Sequence, residues 1–187
     1  MKSGERTKEK IGAAFKQLMI DRPFDSITIT DITDACGLNR LTFYYHFQDK
    51  YDLMNWIFYR GVIEPIRGSI DVDNWPDKLY SALTVLKEDS EYYCSSVSYD
   101  RVELRTYLFD VSFEVMTEVI RDITKDMDVS KEDIDFIVAF LSHGLSGILL
   151  DWIQNGMTED PHDIVSRSVR IIEGCKIYGF ESVSDAL

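Results

Sequence analysis

Hydrogen-bonding side chains between residues 39 and 50 carry the clearest chemistry in this sequence. They are Asn39, Arg40, Thr42, Tyr44, Tyr45, His46 and Lys50. Hydroxyl, imidazole and cationic groups of this kind bond phosphate oxygens and the edges of bases. The sequence has no Gly-rich phosphate loop, GxSxG elbow or HExxH motif, and its many carboxylates form no recognisable catalytic pair. The residues therefore indicate nucleic-acid binding, with no enzymatic activity, no cofactor and no metal.

The distribution of charge agrees with this interpretation, although the 187-residue chain has a net charge of −13. Residues 1–50 contain eight Lys/Arg and seven Asp/Glu, so their net charge is +1, whereas residues 51–187 carry −14. A polyanion would therefore tolerate only the N-terminal quarter of the chain. The acidic remainder keeps the protein soluble and repels DNA.

Two short helices joined by a tight turn are predicted around these residues. Thr28 and Asp31 have the spacing of a capping box, with Asp in place of the usual Glu. Gly37 stands where the end of a helix needs a left-handed residue, and Asn39 can cap a helix that runs to about His46. The spacing therefore predicts a helix-turn-helix, whose second helix enters the major groove of DNA.

The second of these helices has two distinct faces. Phe43 and Phe47 lie four residues apart and form an inner row that holds the helix on a core. The outer row contains Leu41, Tyr44 and Tyr45. A short helix with so many exposed polar groups is a poor core element, so this outer row is expected to meet DNA.

Helical periodicity continues along the rest of the chain and predicts an all-α fold. A fourth helix from Lys50 to about Arg67, capped by Asp49, is expected to link a small domain of residues 1–48 to a larger one of residues 49–187. Further helices are predicted over residues 77–98, 101–127, 131–155 and 161–178.

The cysteines and the most apolar predicted helix indicate in which cellular compartment the protein is expected. Three dispersed cysteines indicate neither a disulfide framework nor a zinc ribbon, which fits a reducing cytoplasm. The apolar helix at residues 131–155 contains Asp135 and Asp151, so it is expected to be a buried helix of a cytoplasmic protein and not a membrane span.

The predicted helix-turn-helix closely resembles the DNA-binding domain of the TetR family of regulators. The matching residues are Ile29-Thr30-Asp31-Ile32, Ala35-Cys36-Gly37-Leu38-Asn39-Arg40-Leu41-Thr42-Phe43-Tyr44-Tyr45-His46-Phe47, Lys50 and Leu53. The family usually has Ser in place of Asn39 and a Gly or basic residue in place of Leu41. Residues 140–161 are similar to the C-terminal domain of a subgroup that includes an activator of dihydroxyacetone kinase genes. The resemblance implies a homodimer on a palindromic operator, most often a ligand-responsive repressor.

The resemblance also implies a role for each residue of the motif. The expected phosphate contacts are Thr28, Tyr44, His46 and Lys50. Asn39 would cap the helix, and the residues expected in the groove are Arg40, Leu41, Thr42 and Tyr45. An apolar side chain at Leu41 would favour the methyl group of thymine.

Two further sites are expected in the larger domain. Because the helix at 131–155 is apolar nearly all round, it must be covered on two sides. Its expected dimer interface consists of Leu141, Leu145, Leu149 and Trp152. The expected effector pocket against the fourth helix is lined by Trp56, Tyr59, Ile63, Tyr93, Tyr107 and Phe113. Acids at its rim, namely Glu103, Asp110 and Glu114, would favour a neutral or cationic ligand.

The sequence also leaves several alternatives open. The aromatic cluster could be plain core, and the helix at 131–155 could be the central helix of a monomer. His143 could join Cys94 and an acid in a metal site, although a core histidine is the expected role. The regulatory domain could bind a partner protein in place of a small molecule, as in an activator or a corepressor-like module.

Overall fold

The structure, a computed structural model, describes residues 3–66, 68, 70–97 and 101–178. Over these residues the chain is helical and has no strand, which confirms the all-α prediction. The helices are α1 (Ser3–Asp21), α2 (Ile29–Cys36), α3 (Arg40–His46), α4 (Lys50–Phe58), α5 (Trp75–Glu88), α6 (Ser90–Val97), α7 (Arg101–Thr124), α8 (Lys131–Gln154) and α9 (Pro161–Tyr178).

The first three helices enclose a small apolar core. Ile11, Phe15 and Met19 repeat every four residues along one face of α1, and all three are buried. They pack in one cluster with Ile32 from α2 and Phe43 from α3. Burying each such side chain contributes about 1.5–3 kcal/mol, so this core holds α3 firmly with its other face outward.

The helix that follows does not run to Arg67 as a regular α-helix. α4 ends at Phe58, a π-helical turn spans Tyr59–Ile63, and a 3-10 turn spans Glu64–Ile66. Pro65 explains the irregularity, because proline has no N–H to donate to the carbonyl four residues earlier and its ring clashes with that carbonyl. The predicted single helix is therefore wrong beyond Phe58.

The predicted helix at 77–98 is also divided, at Asp89. α5 ends at Glu88, one residue earlier, and α6 begins at Ser90 and packs against α1. Lys16 of α1 forms an ion pair with Asp89, which fixes the break beside the DNA-binding domain.

The remaining helices form the body of the larger domain. α7 lies along α8, and α5 packs against α9. The Ser130 hydroxyl caps α8 by accepting a hydrogen bond from the Asp133 N–H at 3.1 Å. By length and composition alone α8 could cross a membrane, but 44% of its apolar stretch is buried within the protein.

Candidate DNA-binding surface

The capping box at the start of α2 is formed as predicted. The Thr28 hydroxyl accepts a hydrogen bond from the Asp31 N–H at 3.1 Å, and the Asp31 carboxylate accepts from the Thr28 N–H at 2.8 Å and from its hydroxyl at 2.6 Å. These bonds, together with Arg22 at 3.1 Å, lower the pKa of Asp31 to about 2. Both Thr28 groups that are expected to contact a phosphate are thus engaged by an acidic side chain.

The turn between α2 and α3 has the predicted geometry. Gly37 has φ 63° and ψ 37°, a left-handed conformation that glycine adopts without strain. Asn39 then caps α3, since its side-chain oxygen accepts hydrogen bonds from the Thr42 N–H at 2.8 Å and the Thr42 hydroxyl at 3.0 Å. These caps fix where α3 begins and which of its faces points outward.

The outer face of α3 is strongly exposed, while its inner face is buried. Phe43 and Phe47 belong to the core, as predicted. Leu41 and Tyr45 lie four residues apart and are 81% and 84% exposed. Large apolar side chains are seldom exposed side by side unless they belong to a contact surface.

Arg40 and Tyr44 form a second part of this surface. The Arg40 guanidinium lies over the Tyr44 ring at 5.9 Å, and one of its nitrogens is 3.5 Å from the Tyr44 hydroxyl. The His46 ring meets the Tyr45 ring edge-on at 4.9 Å. These contacts pair Arg40 with Tyr44 and Tyr45 with His46 along α3.

Lys50, which is expected to contact a phosphate, makes contacts within the protein. Its ammonium donates hydrogen bonds to the Phe24 carbonyl at 2.8 Å and the Ile27 carbonyl at 3.2 Å, and it lies 4.1 Å from the Phe24 ring centroid. The N-terminus of α4, which was expected to face phosphate, is occupied by the carboxylates of Asp49 and Asp52. Lys50 therefore ties α4 to the loop before α2, and no local sequence pattern indicates this contact because its partners lie more than twenty residues away along the chain.

The residues expected to line one effector pocket are dispersed. Trp56 packs on Phe47 at 5.6 Å and faces α1, so it belongs to the contact between the two domains. Tyr59 is half-buried against the main core, and Phe113 is 42% exposed. The expected face Trp56, Tyr59 and Ile63 fails because the π-helical turn interrupts the regular 100° rotation per residue.

Two small cavities lie near the expected position. The first, of about 50 Å³, is lined by Ile63 and by mainly aliphatic residues from α5, α7 and α8. The second, of about 20 Å³, is lined by Tyr93 and Tyr107. Phe58 lines both and was missed from the sequence, because it lies one residue before the π-helical turn. Neither cavity is lined by Asp110 or Glu114, which are exposed, and the Glu103 side chain lies outside the described residues.

The residues expected at a dimer interface face the interior of the larger domain. Leu141, Leu149 and Trp152 are buried within their own subunit, and Leu145 lines its larger cavity. The apolar residues that α8 and α9 expose are instead Phe136, Phe140, Ile148 and Ile171. The helix is apolar nearly all round, so periodicity could not distinguish the side that faces its own core from the side that faces solvent.

His143 is exposed and lies against the Phe109 ring, with centroids 4.4 Å apart, so it is not the expected core histidine. The Cys94 thiol instead donates to the Ile153 carbonyl at 3.3 Å. Among the described residues no group of three or more His, Cys, Asp or Glu could hold a metal ion.

Comparisons with known proteins match two parts of the chain. The family model described as "Bacterial regulatory proteins, tetR family" matches residues 11–56, and the model described as "Transcriptional regulator C-terminal region" matches residues 73–174. The HTH-type dhaKLM operon transcriptional activator DhaS of Lactococcus lactis subsp. lactis (strain IL1403) is 28% identical over 159 residues, which are 83% of this chain and 84% of that protein. A solved structure of a dihydroxyacetone kinase operon activator DhaS matches with a TM-score of 0.77 and 26% identity, over 94% of this chain and 98% of that one.

Proposed function

Because this chain belongs to the TetR family of bacterial transcription regulators, we propose that it binds a palindromic operator as a homodimer, with α3 of each subunit in a major groove. The protein is a DNA-binding regulator and not an enzyme. Residues 1–48 supply the DNA-binding domain and residues 49–187 the regulatory and dimerisation domain. Its place of action is the cytoplasm, where the DNA is.

The outer face of α3 is the observation that carries this proposal. Leu41 and Tyr45 protrude from a helix whose other face is fixed by a buried core. Arg40 and Tyr44 add a guanidinium and a hydroxyl beside them. The surface therefore combines groups that read base edges with groups that position the protein on phosphates.

Selection from a random duplex library tests the proposal directly. We expect an inverted repeat with half-sites roughly 34–36 Å apart and strong dependence of affinity on salt. Replacing Tyr44 should weaken binding to all operator variants about equally, whereas replacing Arg40 or Tyr45 should change the preferred sequence. If all three variants lose affinity in the same proportion on every operator, this division of roles is wrong.

The exposed apolar residues of α8 and α9 support the homodimer. Phe136, Phe140 and Ile148 lie on the outer side of α8, and Ile171 lies on α9. A Cβ atom built on Gly144 or Gly147 would meet nothing within 4 Å, so the α8 surface between these side chains leaves room for a second helix to approach closely. Two copies that meet through this face would bury it and satisfy the two-fold symmetry of a palindrome.

Whether the protein activates or represses transcription is proposed from the similar proteins. The sequence alone favours a repressor, but the two similar proteins are named as operon activators. We therefore propose activation. A promoter that carries the selected operator upstream of a reporter gene should be expressed more strongly with the protein than without it, and reduced expression would restore the repressor interpretation.

Two kinds of molecule are candidates for the effector that binds the regulatory domain. A small-molecule effector would use the cavities beside α4, whereas a partner protein would need none. The two cavities lined by Phe58 are only about 50 Å³ and 20 Å³, smaller than a cavity of about 150 Å³ that holds benzene, so a bulky effector is disfavoured there; a more open cavity of about 220 Å³ lies between α1 and α4. A thermal-shift screen of metabolites, compared with a pull-down by the full-length protein, separates the two candidates.

A further inference from the structure

A cavity of about 450 Å³ lies between α7 and α8, apart from the two cavities beside α4. Its walls include Arg105 and Phe109 of α7 and His143 of α8. All of its lining residues belong to these two helices, so the cavity does not touch the helix that links the two domains. A cavity of about 150 Å³ holds benzene, so this one has room for a group of two rings.

The floor of this cavity is apolar. The His143 ring lies against the Phe109 ring, with centroids 4.4 Å apart and planes inclined by 30°. Phe109 is half-buried and holds the exposed imidazole in place. Leu150, which is buried, continues the apolar wall along α8. The flat part of a ring compound can therefore pack against this floor.

Two basic side chains stand above the apolar floor. Arg105 precedes Phe109 by one helical turn, so both side chains lie on the same side of α7. Among the described residues, neither the Arg105 guanidinium nor the His143 imidazole has a hydrogen-bond or ion-pair partner. The Ser146 hydroxyl in the same cavity already donates to the His143 carbonyl at 3.3 Å. The guanidinium and the imidazole are therefore the donors that a ligand can use.

The charge of the lining favours an anion. Residues 51–187 carry a net charge of −14, yet neither Asp nor Glu lines the cavity in the part of the chain that the structure describes. Asp110 and Asp151 are next in sequence to lining residues, but both are exposed, so solvent screens them. A planar guanidinium matches the two oxygens of a carboxylate, and an imidazole N–H can donate to the same group.

We propose that this cavity binds an aromatic carboxylate. The carboxylate accepts hydrogen bonds from the Arg105 guanidinium and the His143 imidazole, and the rings pack against Phe109 and Leu150. A small inorganic anion would leave the apolar floor in contact with water, so the rings are part of what is recognised. This inference goes beyond the proposed function and does not depend on it, because the site is formed without DNA.

The backbone of α8 leaves the cavity open. A Cβ atom built on Gly147, which lines the cavity, would meet nothing within 4 Å. A larger side chain at this position would project into open space without displacing its neighbours. Gly147 also borders the surface proposed for the dimer, whereas Arg105 and Phe109 lie on α7, so a ligand can enter from the α7 side.

The first experiment measures binding of three compounds to the full-length protein by calorimetry, without DNA. 2-Naphthoate should bind. 2-Naphthamide has the same rings without the charge, and acetate has the charge without the rings, so each should bind at least tenfold more weakly. Equal binding of 2-naphthamide would show that the charge is not recognised, and equal binding of acetate would show that the rings are not. Either result, or no binding of 2-naphthoate, would overturn the proposal.

A pair of arginine variants locates the anion. Arg105→Gln should weaken 2-naphthoate at least tenfold and leave 2-naphthamide unchanged, because only the charged ligand needs the guanidinium. Arg170→Gln removes an exposed arginine of α9 that does not line this cavity and should change neither affinity. Equal losses in both variants, or no loss in Arg105→Gln, would place the carboxylate elsewhere and overturn the proposal.

A pair of glycine variants locates the rings. Gly147→Leu should fill the cavity and abolish binding of 2-naphthoate. Gly144→Leu is the matched control, because a Cβ atom there also meets nothing within 4 Å but the residue does not line this cavity. Binding that is lost in both variants, or kept in Gly147→Leu, would show that the rings lie elsewhere. Operator binding by the ligand-free proteins reports separately on the proposed function.

Discussion

At the scale of single residues, the protein uses carboxylate and amide side chains to start its short helices correctly. Asp31 closes the capping box of α2, Asn39 caps α3 and Asp49 caps α4. Short helices are marginal on their own, so each depends on its cap and its packing. Lys50 acts similarly over a longer distance, because its ammonium joins α4 to the Phe24 and Ile27 carbonyls.

The Asp31 cap predicts a pH-dependent contribution to stability. Its pKa is lowered from 3.8 to about 2, so its contribution is fully present above about pH 3.8 and is lost as the pH falls toward 2. In urea unfolding, Asp31→Asn should be less stable than the wild type at pH 6, and the difference should shrink at pH 3. Asp34→Asn on the same helix is the control, and a difference that is equal at both pH values would contradict this role.

The contacts of Lys50 predict a loss of stability and not of charge-dependent DNA binding. Lys50→Met keeps much of the side-chain length but removes the donors to the two carbonyls, which should cost about 1–3 kcal/mol in the free energy of unfolding. The dependence of operator affinity on salt should stay unchanged. A fall of about one in the salt slope would instead identify Lys50 as a phosphate contact. Lys10→Met, at an exposed position, controls for the loss of a surface charge.

At the scale of elements, the decisive feature is the π-helical turn between the two domains. It places Gly61 against α6, where a Cβ atom would be 2.9 Å from the Tyr93 hydroxyl oxygen. Gly61→Ala should therefore destabilise the protein by about 1–3 kcal/mol, despite the better helix propensity of alanine.

A double-mutant cycle tests this close approach. Adding Tyr93→Phe removes the atom that the new methyl group meets, so the double variant should recover most of the lost stability, as measured by urea unfolding. Gly174→Ala, which would meet nothing within 4 Å, is the control. Strictly additive effects of Gly61→Ala and Tyr93→Phe would show that the two residues do not interact.

The elements differ in how well the sequence predicts them. The helix-turn-helix is predicted well because its caps, its turn and its inner row depend on neighbours within four residues. The predicted cap at Thr28, the turn at Gly37 and the burial of Phe43 are confirmed. The π-helical turn and the break at Asp89 could not be predicted from periodicity, because they are set by Pro65 and by packing of α6 on α1. The predicted face of Trp56, Tyr59 and Ile63 presumes an uninterrupted helix, and the π-helical turn interrupts that helix after Phe58.

At the scale of the whole molecule, the acidic larger domain and the nearly neutral N-terminal domain differ in how they interact with DNA. Residues 51–187 carry a net charge of −14, so DNA is repelled from everything except the domain that contains α3. The apolar face of α8 and α9 lies within this acidic body. In the proposed homodimer, two copies would meet through this surface and hold their recognition helices at a fixed separation.

The last prediction distinguishes residues that face the second copy from residues that face their own core. Phe140 is 69% exposed and Ile148 is 49% exposed, whereas Leu149 is 6% exposed. Arginine at Phe140 or Ile148 stays hydrated in a folded monomer but would be buried without a partner in the dimer, which costs several kcal/mol. Phe140→Arg and Ile148→Arg should therefore sediment as folded monomers with normal helical circular dichroism and bind the palindrome with reduced affinity. Leu149→Arg should instead unfold the protein, and a folded monomer for that variant, or a stable dimer for the other two, would show that the subunits associate through a different face.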